Sequence, residues 1–385
     1  MTNKTKIALF IPAIGFGGAE KVVSLLTFEL TKYYDVTLIL LYDIIKLPIS
    51  KDIKVILLSK EGEEFKTSKA QHFSDYIKFI FKYQKVLKTE KIDVVISFML
   101  RQNAMTGIAK MFNPTLKSII SERCFPSKRY NNSKLISIIS KTMIPFFYNR
   151  NDRLFSNSIH INQDLRTHFN VKIDASVIYN PTVLNNKKLN SDNYSHPPDI
   201  FKIVTVGRLT AVKNQKHILN SLSKLPEHFR LDIYGDGDIL EELEQLSINL
   251  NLKDRVNFKG NVLDVHSKIF DSHCFVLSSL TEGFPNALLE ALSLGIPVIA
   301  TNCMSGPLEL LNENEPIEIE NGSFFKAKYG ILINIDDVEG LTKAITYLQE
   351  NQEQRITYSE LGYNRAKDYG VDKIGLKLKS LIDSI

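Results

Sequence analysis

The chain has 385 residues, of which 44% are hydrophobic, 24% charged and 10% aromatic. This length predicts two or three domains, and this composition excludes a disordered, fibrous or low-complexity protein. The charge is unevenly divided, because residues 1–180 contain 27 Lys and Arg against 15 Asp and Glu, whereas residues 181–385 contain 21 against 28. The basic half is expected to attract anionic surfaces or phosphates, although a solvated basic face explains the same charge.

The three cysteines, Cys124, Cys274 and Cys303, are far apart and form no CxxC pair. Their spacing encodes neither a disulfide framework nor a cysteine zinc site, and it favours a reducing compartment. The eight histidines show no HExxH or HxxxH spacing. We therefore expect no metal site.

Two apolar stretches lack the features of membrane or export segments. The longer one, Leu135–Tyr148, contains Lys141 and is shorter than the roughly 18 apolar residues that a spanning helix needs. The N-terminal stretch Ile7–Ile14 is interrupted by Pro12 and is followed by glycines rather than by a cleavage site. We interpret it as a first β-strand and expect no membrane-spanning segment.

The first half alternates short apolar, β-branched runs with helical patterns, which is typical of parallel sheets built from βαβ units. The helix Glu20–Leu30 follows the first strand and has apolar residues four positions apart. The predicted strands are, in chain order, Lys6–Phe10, Asp35–Leu41, Val55–Leu58, Asp93–Phe98, Leu116–Ser121, Arg153–Ser158 and Ser176–Tyr179. This pattern predicts a doubly wound α/β domain over residues 1–182.

Residues 183–199 are rich in Asn, Ser and Pro and show no periodicity, so we expect a linker. The alternation then restarts, which predicts a second doubly wound domain over residues 200–369. Its predicted strands are Lys202–Val206, Phe229–Tyr234, Val256–Phe258, Cys274–Leu277, Pro297–Ala300 and Gly330–Ile333. Its predicted helices are Gln215–Ser223, Ile239–Leu250, Val265–Phe270, Pro285–Leu294, Val338–Gln349 and Ile356–Tyr369. A last helix, at about residues 370–385, is expected to pack back on the first domain.

Ligands of doubly wound sheets bind at the carboxyl ends of the strands, so the loops that follow strands are candidate binding segments. The predicted strand Lys202–Val206 is followed by Gly207 and Arg208, and Lys213 lies just before the next helix. A guanidinium and an ammonium group at a helix N-terminus can hold a diphosphate. Two solvated surface cations would give the same pattern.

The segment Ser278–Asn286 follows another predicted strand and contains Glu282, with Glu290 further along in the next helix. Pro285 suits the first helical position, which would leave the backbone N–H groups of residues 283–286 able to hold sugar hydroxyls or phosphate. A carboxylate beside a diol accepts two hydrogen bonds, as a ribose requires. A solvated helical face is the alternative for Glu290.

Two further patterns are less specific. Ala13–Glu20 is Gly-rich and opens a helix, so its backbone can approach an anion, but Glu20 occupies the third glycine position of a dinucleotide-binding fingerprint. Asp236 and Asp238 have DxD spacing in a Gly-rich segment between a strand and a helix. We interpret that segment as a turn rather than a metal site.

Four segments of the second half occur in a characteristic order and spacing, namely GRLTAVKNQ at Gly207–Gln215, YGDGDILEELE at Tyr234–Glu244, VNFKGNV at Val256–Val262 and SSLTEGFPNALLEALSLGIPVIAT at Ser278–Thr301. Together they resemble the donor domain of a retaining glycosyltransferase of family 4. GGAEK at Gly17–Lys21 resembles the first loop of the acceptor domain in the same family. The resemblance implies an α/β protein of the GT-B fold, with two doubly wound Rossmann-like domains facing a central cleft.

The resemblance also implies roles for individual residues. The E-x7-E signature falls on Glu282 and Glu290, which implies that Glu282 contacts the donor sugar near the reacting centre and that Glu290 holds the ribose. Arg208 and Lys213 match the cations that neutralise the leaving nucleoside diphosphate. Glu282, Arg208 and Lys213 are thus the implied catalytic residues. The residues implied to bind the donor are Gly17, Gly18, Gly207, Gly283, Phe284, Pro285, Asn286 and Glu290.

Ile96–Ala104 (ISFMLRQNA) and Ser121–Lys128 (SERCFPSK) resemble the branch that extends lipid-linked oligosaccharides for bacterial capsule, O-antigen or protein glycosylation. Many relatives carry a histidine where this chain has Arg123, which puts a general-base role at that position in doubt. Arg123 would instead position the acceptor's diphosphate or the donor's sugar. The implied acceptor-binding residues are Glu20, Arg101, Asn103, Glu122 and Arg123.

The apolar residues between Lys134 and Phe147 are interleaved with basic ones. An amphipathic surface of this kind can rest on an anionic leaflet, although an ordinary buried helix explains the apolar positions equally well.

We expect a retaining transferase that moves a hexose or N-acetylhexosamine from a UDP-sugar to a polyprenyl-diphosphate-linked glycan. It would need neither cofactor nor metal, would bind no nucleic acid, and would be a cytoplasmic protein on the inner face of the cytoplasmic membrane. One alternative is a nucleotide-sugar epimerase of the GT-B fold. A phosphorylase lacks support because no pyridoxal-phosphate lysine motif is evident, and a dinucleotide oxidoreductase because GxGxxG is broken. A non-catalytic scaffold that binds membranes or nucleic acid would use only the basic half.

Overall fold

The structure of the chain, a computed structural model, describes residues 4–59, 69–129, 134–184 and 199–385. The chain forms two compact units. The first comprises Met1–Pro181 and Val371–Ile385, and the second comprises Thr182–Gly370. Most of the predicted linker, residues 185–198, lies outside the described residues.

The sheet of the first unit has seven strands, all parallel. They are β1 (Lys6–Ile11), β2 (Asp35–Leu40), β3 (Lys54–Leu57), β4 (Val94–Phe98), β5 (Lys117–Glu122), β6 (Arg153–Ser156) and β7 (Ala175–Val177). Their order is β3-β2-β1-β4-β5-β6-β7. The helices between them are α1 (Gly18–Leu30), α2 (Lys69–Thr89), α3 (Leu100–Phe112), α4 (Pro126–Arg129), α5 (Lys134–Tyr148) and α6 (Ile159–Phe169). The central strands are almost wholly buried, as expected of a parallel sheet covered on both faces.

The sheet of the second unit also has seven strands. They are β8 (Phe201–Val206), β9 (Phe229–Tyr234), β10 (Val256–Gly260), β11 (Cys274–Leu277), β12 (Val298–Thr301), β13 (Phe324–Ala327) and β14 (Gly330–Ile333). Their order is β10-β9-β8-β11-β12-β14-β13, and β13 is antiparallel to β14. The helices are α7 (Gln215–Leu222), α8 (Leu240–Asn249), α9 (Val265–Ile269), α10 (Asn286–Ser293), α11 (Pro307–Asn312), α12 (Val338–Glu350) and α13 (Gln352–Ala366).

The predicted fold class is confirmed, since both units are doubly wound α/β folds. All thirteen predicted strands are present, within about two residues at each end. In the second unit the sequence patterns missed β13 and α11. Strand β13 lies at the edge of the sheet and is only partly buried, so it lacks the buried apolar run that marks the other four-residue strands of this unit, and the six residues of α11 are too few to display a helical period. The predicted helix that ends at Tyr369 instead ends as α13 at Ala366, followed by a 3₁₀ turn over Lys367–Tyr369.

The last helix, α14 (Val371–Asp383), packs on the first unit. Its residues Ile374, Leu378 and Ile382 lie four apart and are buried in the hydrophobic cluster of that unit. Gly375 lies against the side chain of Glu29 in α1, where a Cβ would collide. Within the described ranges, no helix is both long and apolar enough to cross a bilayer.

Candidate active site

Three loops at the carboxyl edge of the second sheet are joined by hydrogen bonds. They follow the neighbouring parallel strands β8, β11 and β12 and therefore emerge side by side. The N–H of Leu280 donates to the Val212 carbonyl at 2.8 Å, and Ser278 Oγ donates to the Lys213 carbonyl at 2.9 Å. Ser305 Oγ donates to the Gly283 carbonyl at 2.7 Å. The three loops thus form one connected surface.

Lys213 and Glu282 form an ion pair on this surface, with Lys213 Nζ 2.5 Å from Glu282 Oε1. Ser279 Oγ donates to the same carboxylate oxygen at 2.6 Å. The Glu282 side chain is 8% exposed, whereas that of Lys213 is 31% exposed. The sequence predicted both residues as site residues but not their contact, and it gave no role to Ser279. The pair presents an ammonium group whose position is fixed by a nearly buried carboxylate.

Glu290 lies on α10 and is buried, so the solvated-face alternative is wrong. His266 of α9 approaches it, with Nε2 3.3 Å from Glu290 Oε2. The sequence predicted Pro285 at the first helical position, and this prediction is wrong, because the ψ of Pro285, 95°, keeps its backbone extended. It is the N-cap instead, and α10 begins at Asn286. The sequence offered no pattern that linked His266 to Glu290.

The loop after β12 was missed by the sequence analysis. Ser305 and Gly306 both have positive φ, 71° and 89°. A Cβ on Gly306 would collide with the ring of Pro285, so this position requires glycine. Positive φ at Ser305, a residue with a side chain, is a strained conformation that is concentrated at functional sites. The Ser-Gly-Pro sequence after a strand was the available signal.

The remaining donor-site residues of this unit differ in exposure. Arg208 is exposed. Gly207 lies against Gly235, and a Cβ on Gly235 would collide with the Gly207 carbonyl. Phe284 is buried and packs against Tyr369, with ring centres 5.6 Å apart, so its side chain serves the core.

The GDGD segment leads into a turn, in which the N–H of Leu240 donates to the Gly237 carbonyl at 3.2 Å. Asp236 Oδ1 accepts from the N–H of Gly237 at 2.8 Å, and the Asp236 carbonyl accepts from the N–H of Leu209 at 2.9 Å. In the part of the chain that the structure describes, no three His, Cys, Asp or Glu residues are grouped so as to hold a metal ion.

In the first unit, Gly17 is the N-cap of α1, and Gly18 is its first residue. A Cβ on Gly17 would collide with the carboxylate of Glu20. The glycine therefore makes room for the Glu20 side chain, which lies in the first turn of α1, where the helix dipole favours a negative charge.

Asn103 and Glu122, predicted as acceptor contacts, are 0% and 1% exposed. Glu122 Oε2 accepts from the Tyr148 hydroxyl at 2.6 Å, and Asn103 Nδ2 donates to the same hydroxyl at 3.1 Å. Ser97 Oγ donates to Asn103 Oδ1 at 3.0 Å. These side chains hold the interior of the first unit together and are not available at its surface, which corrects the prediction. Arg101, in contrast, is exposed.

Arg123 lies just beyond the end of β5 and is partly exposed. Its Nη1 donates to Asn180 Oδ1 at 2.9 Å, and its guanidinium lies over the rings of Phe98 and Phe155. Burial lowers the pKa of Arg123 to about 9, against an opposing effect of the Glu122 carboxylate. The group remains charged at neutral pH.

Helix α5 is not an ordinary buried helix. Ile144 and Tyr148 are buried. Five other apolar residues are between 44% and 64% exposed, namely Ile136, Ile138, Ile139, Met143 and Phe146. Lys141 lies among them and is also exposed. An exposed apolar surface with basic residues is typical of an interaction site.

Residues 186–365 match the model of the family described as glycosyl transferases group 1. The matched residues lie within the second unit, Thr182–Gly370. Two curated relatives come from Campylobacter jejuni. One, an N-acetylgalactosamine-N,N'-diacetylbacillosaminyl-diphospho-undecaprenol 4-alpha-N-acetylgalactosaminyltransferase, is 28% identical over 96% of this chain and 97% of its own length. The other, a GalNAc-alpha-(1->4)-GalNAc-alpha-(1->3)-diNAcBac-PP-undecaprenol alpha-1,4-N-acetyl-D-galactosaminyltransferase, is 25% identical over 99% of both chains.

Solved structures share the fold of this chain over nearly its whole length. Sucrose-phosphate synthase from Thermosynechococcus elongatus has a TM-score of 0.81 at 18% identity and 99% coverage of both chains. HepE from Anabaena, solved in complex with UDP and glucose, has a TM-score of 0.74 at 18% identity, over 99% of this chain and 100% of its own. At this identity the likeness establishes the fold, and it confirms the GT-B class that the sequence implied.

Proposed function

We propose that the chain transfers a hexose or N-acetylhexosamine from a UDP-sugar to a hydroxyl of a glycan carried on polyprenyl diphosphate. The observation that carries the proposal is the Lys213–Glu282 ion pair on the three joined loops of the second unit. It supplies a fixed ammonium group for a leaving diphosphate. The names of the two Campylobacter relatives, and the UDP bound to HepE, support the choice of acceptor and nucleotide.

The proposed reaction is a front-face displacement with retention of configuration. The bond between the anomeric carbon and the diphosphate oxygen breaks, and its electron pair leaves with UDP. The acceptor hydroxyl oxygen forms the new bond on the same face and gives its proton to the departing phosphate oxygen. Lys213 and Arg208 stabilise the negative charge that develops on the diphosphate. In other enzymes a bound metal ion stabilises this charge.

Two carboxylates have different proposed tasks. Glu282, nearly buried and bonded to Lys213 and Ser279, orients the donor sugar beside the reacting carbon. Glu290, which is buried beside His266, holds the ribose hydroxyls. Neither acts as a covalent nucleophile in the proposed reaction.

We also propose that the first unit docks on the anionic inner face of the cytoplasmic membrane, where a lipid-linked acceptor is found. The support is the exposed apolar surface of α5 together with nine basic residues and one acidic residue between Arg101 and Arg150.

The test is transfer from UDP-, GDP- and dTDP-sugars to a short-chain polyprenyl-diphosphate glycan, with and without excess EDTA. We expect product only with a UDP-sugar, retention at the new linkage by NMR, and equal rates with EDTA. Lys213→Ala should lower turnover about 100-fold. The matched control is Lys216→Ala, which removes an exposed charge three residues further along. Activity that EDTA abolishes and a divalent cation restores would contradict metal independence.

A further inference from the structure

The guanidinium of Arg123 is held in one orientation by the first unit. Asn180 accepts from Nη1 at 2.9 Å. The guanidinium carbon lies 5.4 Å from the ring centre of Phe98 and 5.2 Å from that of Phe155. A planar cation that is already ordered loses little conformational entropy when a ligand binds to it.

The charge of Arg123 has no ion-pair partner among the described residues, and its Nε is buried without a hydrogen bond. The adjacent carboxylate, Glu122, is committed elsewhere, because its oxygens accept from the Tyr148 hydroxyl and from the main-chain N–H groups of Arg123 and Cys124. Nη2 of Arg123 makes no hydrogen bond to any described residue. A partly buried cation without an ion pair retains the capacity to bind an anion, and a bound anion would offset the cost of that burial.

Two neighbouring features support a ligand at this place. Arg129 contacts Cys124, which places a second cation close to the end of β5. Met99, at the end of the adjacent strand β4, has φ 77° and ψ 155°, a conformation that residues with a side chain rarely adopt. Its N–H donates to the Ser121 carbonyl at 3.1 Å, so the strained residue lies beside the strand that leads to Arg123.

We propose that Arg123 anchors an anion-binding site in the first unit, and that the anion is the diphosphate of the acceptor. The guanidinium donates charge-assisted hydrogen bonds to phosphate oxygens, which are the ligands that arginine prefers. The identity of the acceptor rests on the proposed function, whereas the anion site itself does not.

The variant Arg123→Met separates binding from structure. Methionine keeps an unbranched side chain of similar length against Phe98 and Phe155 but removes the charge. Because the substitution removes an unpaired charge but also the hydrogen bond to Asn180, we expect the Tm of Arg123→Met to stay close to that of wild type. A lower Tm together with unchanged anion binding would show a structural role and would overturn the proposal.

Inorganic diphosphate is the probe for the site itself. Its binding is measured by calorimetry in the Arg208→Ala/Lys213→Ala background, which lacks the cations of the second unit. We expect Arg123→Met to weaken binding about tenfold or more. The matched control is Arg153→Met at the start of β6, whose exposed pair with Asp174 spans 3.9 Å, and it should leave binding unchanged. Equal binding by the two variants would overturn the proposal.

Two acceptors identify the source of the anion. One is a glycan on a short polyprenyl diphosphate, and the other is the same glycan as a neutral alkyl glycoside. We expect Arg123→Met to raise KM for the first about tenfold or more, and to leave KM for the second and the affinity for UDP unchanged. Weaker UDP binding with an unchanged acceptor KM would overturn the acceptor assignment. If wild type used neither acceptor, the proposed function would fail, and the diphosphate titration would still decide whether the site exists.

Discussion

Glu282 owes its position to contacts from two different loops, since Lys213 follows β8 and Ser279 follows β11. In the proposed reaction the ammonium and the carboxylate act as one unit. We therefore expect Lys213→Ala and Glu282→Gln each to lower kcat about 100-fold, and the double variant to lose far less than the product of the two effects.

The measurement is a double-mutant cycle on kcat at saturating donor. Lys216→Ala is the control for loss of a positive charge in the same region. Fully multiplicative losses would mean that the two groups work independently, and the ion pair would then be structural.

His273 gives the second unit a pH-dependent stability. Burial, aided by the charges of Arg355 and Lys202, lowers the pKa of His273 to about 4, whereas an unfolded histidine has a pKa of about 6.5. Between these values the unfolded chain binds more protons, so the stability present above pH 6.5 is lost as the pH falls towards 4. Burial also lowers the pKa of His217, so this residue too makes the second unit less stable as the pH falls.

We expect His273 to account for a loss on the order of 1 to 2 kcal/mol in the free energy of unfolding between pH 7 and pH 5. His273→Phe cannot titrate and keeps the aromatic stack on Phe201, so urea unfolding of this variant should depend less on pH. Its stability at pH 7 should fall, because His273 Nδ1 accepts from the N–H of Lys202 at 2.9 Å. An equal pH dependence in the two proteins would contradict the assignment.

At the scale of elements, α14 is a C-terminal helix that completes the core of the first unit. Leu378 is 0% exposed in that core, whereas Leu376, on the same helix, is 51% exposed. We expect Leu378→Ala to lower the free energy of unfolding of the first unit by about 2 to 5 kcal/mol, and Leu376→Ala by less than about 0.5 kcal/mol. Urea unfolding of the two variants makes the comparison, and equal losses would show that α14 does not contribute its buried face to the core.

The elements that the sequence predicted well are those with a strong local pattern. In buried strands such as β1 and β11, the residues Ile7–Ile11 and Cys274–Leu277 are continuous apolar runs, so their positions follow from hydrophobicity alone. The errors fall where local pattern is weak. Strand β13 has four residues and owes its strand conformation to pairing with β14, and Pro285 satisfies the φ of either an N-cap or a first helical residue.

Site residues, like the helices and strands, were predicted where a local sequence pattern marks them and missed where contacts between distant residues decide. Glu282 and Lys213 could be predicted individually because they lie in loops after strands, but their contact depends on the neighbouring positions of β8 and β11 in the sheet, which no local pattern encodes. Asn103 and Glu122 were assigned to the acceptor because the segments Ile96–Ala104 and Ser121–Lys128 resemble those of enzymes that extend lipid-linked oligosaccharides. Tyr148 of α5, far away in sequence, satisfies both of them in the interior.

For the whole molecule, the charge is divided along the chain, with basic residues in excess over residues 1–180 and acidic residues in excess over residues 181–385. A membrane that carries anionic lipid would therefore attract the first unit and repel the second. This division supports the proposal that α5, which belongs to the first unit, is the part that meets the lipid. The donor-binding residues proposed in the acidic second unit would stay in water.

The last prediction tests that docking. Binding to vesicles should require anionic lipid and should weaken steeply between about 0.05 and 0.5 M salt, because the screening length falls from over 10 Å to a few ångströms. The triple variant Ile138→Ser/Lys141→Gln/Met143→Ser removes exposed apolar area and one charge from α5. It should lower vesicle affinity at least tenfold and raise KM for a lipid-linked acceptor, while its affinity for UDP stays unchanged. The matched control is Phe81→Ser, since Phe81 is 67% exposed on α2. If the triple variant sedimented with anionic vesicles as wild type does, α5 would not be the docking surface.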